Sequence, residues 1–354
     1  MTDAVRGAET DGTKIASLRD VARAAGVSVS TASRVLSGSS HPVSEPTRRR
    51  VLEAAERLGF EPNRLARALA TARSRTIGVV VHDVSDPYYA EIVRGLEDAA
   101  ESRDHALFVS SSDRDVDKEL AVMRAFVANQ VDAIVLVASA IDDRRYLAEA
   151  TAILDRFRAL GGVVVTMSEH GYEAPRVAYG NLDGTRLLVS HLLQLGHSRI
   201  GYITGPPDLM VTGARRRGYE AAMTEAGHGV DPDLVATGDF TIEGGARAAE
   251  RLLAVGPTAI VAANDMMAIG AVRHLLDAGI RVPDEVSVAG FDDIEFAAYA
   301  AVPLTTVHVP LGELGQLGGQ LVLDLLDADA PEAWPSIDAR LVIRESTGPA
   351  PERV

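Results

Sequence analysis

DVARAAGVSVSTASRVLSG, residues 20–38, threads a helical apolar stripe through a run of small residues and serines. Val21, Ala22 and Ala25 recur at helical spacing, as do Val27, Ala32 and Val35, with Gly26 between the two sets. A glycine there supplies the positive φ of a tight turn, and Ser28 can cap the second helix. Neither segment is long enough to be stable alone in water. Small residues let two such helices cross closely, which is the helix-turn-helix pattern. A third amphipathic helix follows, with Ser44 as its expected cap, Pro46 in its first turn, and Val51, Ala55 and Leu58 as its inner face.

The second helix leaves Val29, Ser30, Ser33 and Arg34 facing outward, with Ser28 and Thr31 beside them at its start. A recognition helix presents such residues to base edges in the major groove. There arginine grips guanine with two hydrogen bonds and an apolar side chain meets the thymine methyl. Charge agrees with a nucleic-acid partner. Residues 16–76 hold eleven arginines against five acidic residues, a net of +6, whereas the whole chain is at −15. A small basic head on an acidic body is the expected organisation.

In EPNRLARALATARSRT, residues 61–76, Pro62 stops the third helix and Asn63 can cap a fourth of about two turns, marginal unless docked. Leu69 could wedge between base pairs in a minor groove; equally, the segment could be a linker with Leu69 packed on the body.

From Thr76 onward, short β-branched runs alternate with helices. The runs are 76–81, 106–111, 133–138, 163–167, 199–204, 259–263 and 286–290. Continuous apolar strands separated by helices predict parallel sheets covered on both faces. An internal echo divides them: Ile77-Gly78 precedes Arg94-Gly95, and Ile200-Gly201 precedes Arg217-Gly218 at the same interval. Two similar α/β lobes would hold a ligand between them, outside the carboxyl ends of the strands. The polar and aromatic residues at those ends are Tyr88, Tyr89, Thr212, Arg215, Asn264, Asp265, Asp292 and Asp293. Rings to stack, a carboxylate and a guanidinium for paired hydroxyls, and an amide suit a sugar. Asp265 and Asp293 can equally be helix caps, and Tyr88 lobe core.

These stretches together resemble the lactose/galactose repressor (LacI/GalR) family of bacterial transcription regulators. The likeness runs from Ser17 to about Ser346, through LRDVARAAGVSVSTASRVLSG, VSEPTRRRVLEAAERLGFEPN, LARALAT, DPYYAEIVRGLEDAA, LGHSRIGYITGP, RRRGYEAAM, ANDMMAIGAV, VPDEVSVAGFDD and VPLTTV. It implies an α-helical helix-turn-helix head and a hinge helix reading the minor groove through Leu69. Behind them would come a two-lobed, periplasmic-binding-protein-like α/β body that dimerises. It implies effector contacts at Arg215, Asn264 and Asp292, with Tyr89 and Tyr88 beside them. The expected boundaries are a tail at 1–15, the head at 16–62, the hinge at 63–75, the body at 76–346 and a tail at 347–354. Within the body, one lobe would take 76–177 and 308–336, the other 178–307 and 337–346. Three places depart from the family pattern: Met167-Ser168-Glu169 after the strand at 163–167, Val309, and Asp86 before Pro87.

The expected function is a homodimeric repressor of carbohydrate-utilisation genes, released from an approximately palindromic double-stranded operator by a sugar. A purine-type corepressor is the alternative. Enzyme signatures are missing: there is no G-x-S-x-G elbow, Walker loop or G-x-G-x-x-G, and no cysteine. No metal or cofactor is expected. A secreted sugar-binding protein would explain the body but not the head. The polar start of the chain and the lack of a long apolar run predict a cytoplasmic protein without a membrane span.

Overall fold

Ser17 starts the first helix through a reciprocal capping box: Asp20 N–H donates to its hydroxyl, and its own N–H donates to the Asp20 carboxylate at 3.0 Å. The computed structural model describes residues 16–36, 41–60 and 73–352, and the chain divides into units of residues 1–74 and 75–354. In the first unit, α1 (Leu18–Ala25) ends at Gly26, whose φ of 67° reverses the chain. The hydroxyl of Ser28 then accepts the Thr31 N–H at 3.1 Å to start α2 (Val29–Leu36). Val21, Ala22, Ala25, Ala32, Val35 and Val51 are buried with Ala54 and Ala55 of α3 (Glu45–Arg57).

Two expectations for α3 need correction. Leu58 is 37% exposed, because the helix ends at Arg57 and Leu58 is its C-cap, turned off the inner stripe; Ala54 and Phe60 fill that side instead. Ser44 occupies the N-cap, but its hydroxyl donates to the Thr47 hydroxyl at 2.9 Å and caps no backbone N–H.

The second unit begins β1 (Thr76–Val81), α4 (Pro87–Glu101), β2 (Ala106–Ser111), α5 (Val116–Ala128), β3 (Ala133–Leu136), α6 (Arg144–Ala159), β4 (Val163–Thr166). It continues β5 (Ala178–Tyr179), α7 (Asn181–Gln194), β6 (Ile200–Thr204), α8 (Met210–Glu225), β7 (Val235–Thr237), α9 (Ile242–Leu253), β8 (Ala259–Ala262), α10 (Asp265–Asp277), β9 (Ser287–Asp292). After α11 (Glu295–Ala298) and β10 (Thr305–His308) come α12 (Leu311–Leu326), β11 (Ser336–Ile337) and β12 (Arg340–Val342). One lobe is a parallel four-stranded sheet ordered β2-β1-β3-β4. The other is six-stranded, ordered β12-β10-β9-β8-β6-β7, with only β12 antiparallel. β5 and β11 pair where the chain passes between the lobes.

The Ile-Gly and Arg-Gly echo has a packing cause. A Cβ at Gly78 would lie 2.5 Å from the Phe126 ring, and one at Gly201 would lie 3.1 Å from Leu252, so each glycine lets a helix side chain sit down on its strand. A Cβ at Gly95 would lie 2.1 Å from the Gly312 carbonyl oxygen, and one at Gly218 would lie 2.3 Å from that of Leu182. In both lobes, glycine permits a close helix crossing, α4 on α12 and α8 on α7.

The segment expected as a C-terminal tail is tied down. Gly348 N–H donates to Ser287 Oγ at 3.1 Å, Ala350 N–H to the Leu195 carbonyl at 2.9 Å, and His197 Nε2 to the Gly348 carbonyl at 3.0 Å.

Candidate functional site

In the head, Ala32 and Val35 of α2 point inward, while Val29 (44% exposed), Ser30, Ser33 and Arg34 face solvent, with Ser28 exposed and Thr31 half-buried. Ser28 is itself engaged, lying 2.8 Å from both the Ser30 and Thr31 hydroxyls. Asn63 and Leu69 lie outside the described residues.

In the body, Tyr88, Tyr89, Arg215, Asn264 and Asp292 line one cavity of about 40 Å³ between the lobes. Helix α4 supplies the tyrosines because Asp86 caps it, accepting the Tyr88 N–H at 3.0 Å. Tyr88 is buried, and its hydroxyl is 2.7 Å from that of Tyr179 on β5. From α8, Arg215 enters with 3% exposure. Its Nε donates to Asn181 Oδ1 at 2.9 Å, Nη1 to the Ala263 carbonyl, and Nη2 to Asp292 Oδ1 at 2.8 Å. The guanidinium also stacks 3.8 Å over the Phe291 ring.

Asp292 ends β9 at φ 111° and Asp293 follows at φ 59°, two strained residues in succession. The strain is held from several sides. His308 and Arg344 each reach the Asp293 carboxylate at 2.7 Å, and buried Asp265 accepts the Ile294 N–H at 3.0 Å. Burial pushes the Asp292 carboxyl up to about 7, against the opposing pull of Arg215. Asp265 and Asp293 therefore pin this turn. The helix cap is Asn264, which accepts the Met267 N–H at 3.0 Å and donates to the Phe240 carbonyl at 3.3 Å.

The lobes also touch beside the cavity. Met210 N–H donates to the Ala140 carbonyl at 3.0 Å, and Val211 N–H to Ser139 Oγ at the same distance. Several lining residues were not among the sequence candidates: His82, Arg114, Ser139, Tyr179 and Phe240. Two of the three departures from the family pattern, Asp86 and Ser168, line the cavity as well, whereas Val309 is buried outside that lining. Among the described residues, no cluster of three metal-ligating side chains occurs, and no helix is long and apolar enough to cross a membrane.

Residues 17–63 match the model of bacterial regulatory proteins of the lacI family, and residues 189–347 match that of the periplasmic binding protein-like domain. Over 337 residues the chain is 30% identical to the HTH-type transcriptional repressor PurR of Aliivibrio fischeri, covering 94% of this chain and 98% of that one. The chain belongs to the lacI family. Two solved lacI-family relatives extend the match to structure. The lac repressor dimer bound to operator and the anti-inducer ONPF superposes with a TM-score of 0.83 at 30% identity, over 95% of this chain and 100% of that one. The transcriptional regulator CelR in complex with cellobiose gives 0.68 at 31% identity, over 94% and 99%. This lacI-family chain is a DNA-binding transcriptional repressor with a two-lobed body, and not an enzyme.

Proposed function

We propose that the chain acts in the cytoplasm as a homodimeric repressor whose operator affinity is lowered by a sugar bound between its lobes. The observation that carries this reading is the buried Arg215–Asp292 pair, 2.8 Å apart in the interlobe cavity. A guanidinium and a carboxylate side by side donate to and accept from vicinal hydroxyls, and charged partners make stronger hydrogen bonds than neutral ones. Tyr88, Tyr89 and Phe240 add ring surface around them. The lactose repressor relative was solved with ONPF and the CelR relative with cellobiose, which supports the same class.

The cavity as it stands has room for only a few water molecules. A sugar therefore enters by parting the lobes, and the contacts of Ser139 and Ala140 with α8 give way. In a dimer this changes the spacing of the two N-terminal segments and so of the α2 helices on an approximately palindromic operator. In the head, Ser28 to Arg34 supply the base and phosphate contacts; Asn63 and Leu69 are the proposed hinge contacts.

The test is a thermal-shift screen of the full chain against sugars, sugar phosphates and purines, followed by release of a palindromic duplex selected from a random pool. A sugar that raises Tm and releases the duplex is expected. A purine that raises Tm and tightens duplex binding would overturn the reading.

A further inference from the structure

A guanidinium carries five N–H groups, and Arg215 spends three of them inside the protein, on Asn181 Oδ1, the Ala263 carbonyl and Asp292 Oδ1. One N–H on each of Nη1 and Nη2 is left for a ligand. The 2.9 Å bond from Nε to Asn181, with the Phe291 ring 3.8 Å from the guanidinium, helps set where those two N–H groups point. Asn181 is 3% exposed and begins α7, immediately after the chain passes between the lobes. Arginine has no acceptor, so the Asn181 amide turns its oxygen to Nε and its NH2 away. That NH2 donates to Glu169 Oε1 at 3.4 Å.

Glu169 stands on the other lobe, in the loop after β4 and in one of the places where the chain departs from the family pattern. Its carbonyl accepts the Ala140 N–H at 2.9 Å and the Ser139 hydroxyl at 3.3 Å. Ser139 Oγ in turn accepts the Val211 N–H at 3.0 Å, on the first turn of the helix that carries Arg215. These contacts close a ring. Arg215–Asn181 joins α8 to α7, Asn181–Glu169 joins α7 to the loop after β4, and Ser139 joins that loop back to α8. Two of its links, Asn181–Glu169 and Ser139–Val211, cross between the lobes. Parting the lobes therefore pulls on the amide that aims Arg215.

We propose that Asn181 is a positioning residue of the effector site, aiming Arg215 at the ligand, and that Glu169 holds the Asn181 amide in the orientation this requires. This rests on the sugar reading of the cavity for the ligand that Arg215 meets. Neither Asn181 nor Glu169 lines the cavity, so both act through Arg215. Without Asn181, Nε–H is left buried and unpaired, and the guanidinium turns toward another acceptor.

The first test needs no ligand. In the full chain with isotope-labelled arginine, the Arg215 Nε–H resonance is the one lost in Arg215→Lys. Its exchange with water should be about tenfold faster in Asn181→Leu, the loss expected of a hydrogen bond to a charged group, and about threefold faster in Glu169→Ala. Asn181→Asp keeps an oxygen for Nε–H and should keep the protection. The second test is calorimetry with whichever of D-glucose, D-galactose, D-ribose and cellobiose raises Tm. Asn181→Leu should bind it about tenfold more weakly and Glu169→Ala about threefold. Thr185→Val is the control: it removes the 2.9 Å bond from the Thr185 hydroxyl to the Asn181 carbonyl, loosening the same turn of α7 while sparing the amide. Its sugar affinity should stay within about twofold of wild type. Should Asn181→Leu fold poorly, Glu169→Ala carries both measurements. Wild-type exchange of Nε–H in these variants, or a sugar affinity that falls as far in Thr185→Val as in Asn181→Leu, would overturn the assignment. If no probe raises the wild-type Tm, the sugar reading falls, and the exchange rates still decide the assignment.

Discussion

Helix α4 carries Tyr88 and Tyr89 into the cavity, and its place is set by how closely it crosses α12. Gly95→Ala tests that link. A Cβ there would sit 2.1 Å from the Gly312 carbonyl oxygen and 2.8 Å from the Gln316 nitrogen, both backbone atoms that no rotamer change can move. The helices must part by about 1 Å to restore ordinary contact, and such a gap forfeits about a quarter to a half of the dispersion between facing atoms. Overpacking of this kind costs about 1–3 kcal/mol, against about 1 kcal/mol gained by replacing a helical glycine with alanine. The net expectation is a loss of up to about 2 kcal/mol, or a Tm lower by up to about 4 °C for a body of this size. Gly312→Ala on the facing helix is the control: its Cβ meets nothing within 4 Å, so it should raise Tm by about 1–2 °C. Thermal melts followed by circular dichroism, with sugar titration of each variant, report both effects, and Gly95→Ala should also weaken sugar binding as the tyrosines shift. Equal Tm values for the two variants, or a stabilised Gly95→Ala, would refute the reasoning.

Two further outcomes are expected. Arg34→Ala should weaken binding to a selected operator by about 1–3 kcal/mol while leaving sugar affinity unchanged; undiminished affinity in a gel-shift titration would remove Arg34 from the recognition surface. Glu119 is buried with its carboxyl raised above the usual range, so the native state holds its proton more firmly than the unfolded chain. Its contribution is intact below the unfolded value near 4.5 and is lost as pH rises through the folded one. Glu119→Gln should therefore flatten the fall in Tm as pH rises above about 4.5, and an unchanged slope would count against it.

The head was legible because its signals are local: Gly26 reverses the chain, Ser28 caps α2, and Ala32 and Val35 repeat at helical spacing. Leu58 was misread because periodicity continues past a helix end that the backbone sets at Arg57. In the body, Asn264 and Asp292 could be found because each stands at or just beyond the end of a strong apolar strand, and Arg215 because it lies on the helix that follows β6. Tyr179 and Phe240 could not, since they belong to β5, two residues long, and to the loop after β7, three residues long, both too short to show a pattern. Arg114 follows a well-marked strand, but its place in the cavity comes from the Phe240 ring, 5.7 Å from its guanidinium across the cleft, and no local spacing records that. Likewise Asp293 reads as a helix cap until His308 and Arg344, distant in the chain, are seen on its carboxylate.

The central claim is that occupancy of the interlobe cavity, gripped by Arg215 and Asp292, releases the head from DNA. Fluorescence anisotropy of a selected operator duplex, titrated with the sugar identified by thermal shift, measures this directly in wild type and Asp292→Ala. The two should bind the duplex equally in the absence of sugar. Wild type should then release it, whereas Asp292→Ala should need about 10–150-fold more sugar, the loss expected of a hydrogen bond to a charged group. Release of both proteins at the same sugar concentration would contradict the account.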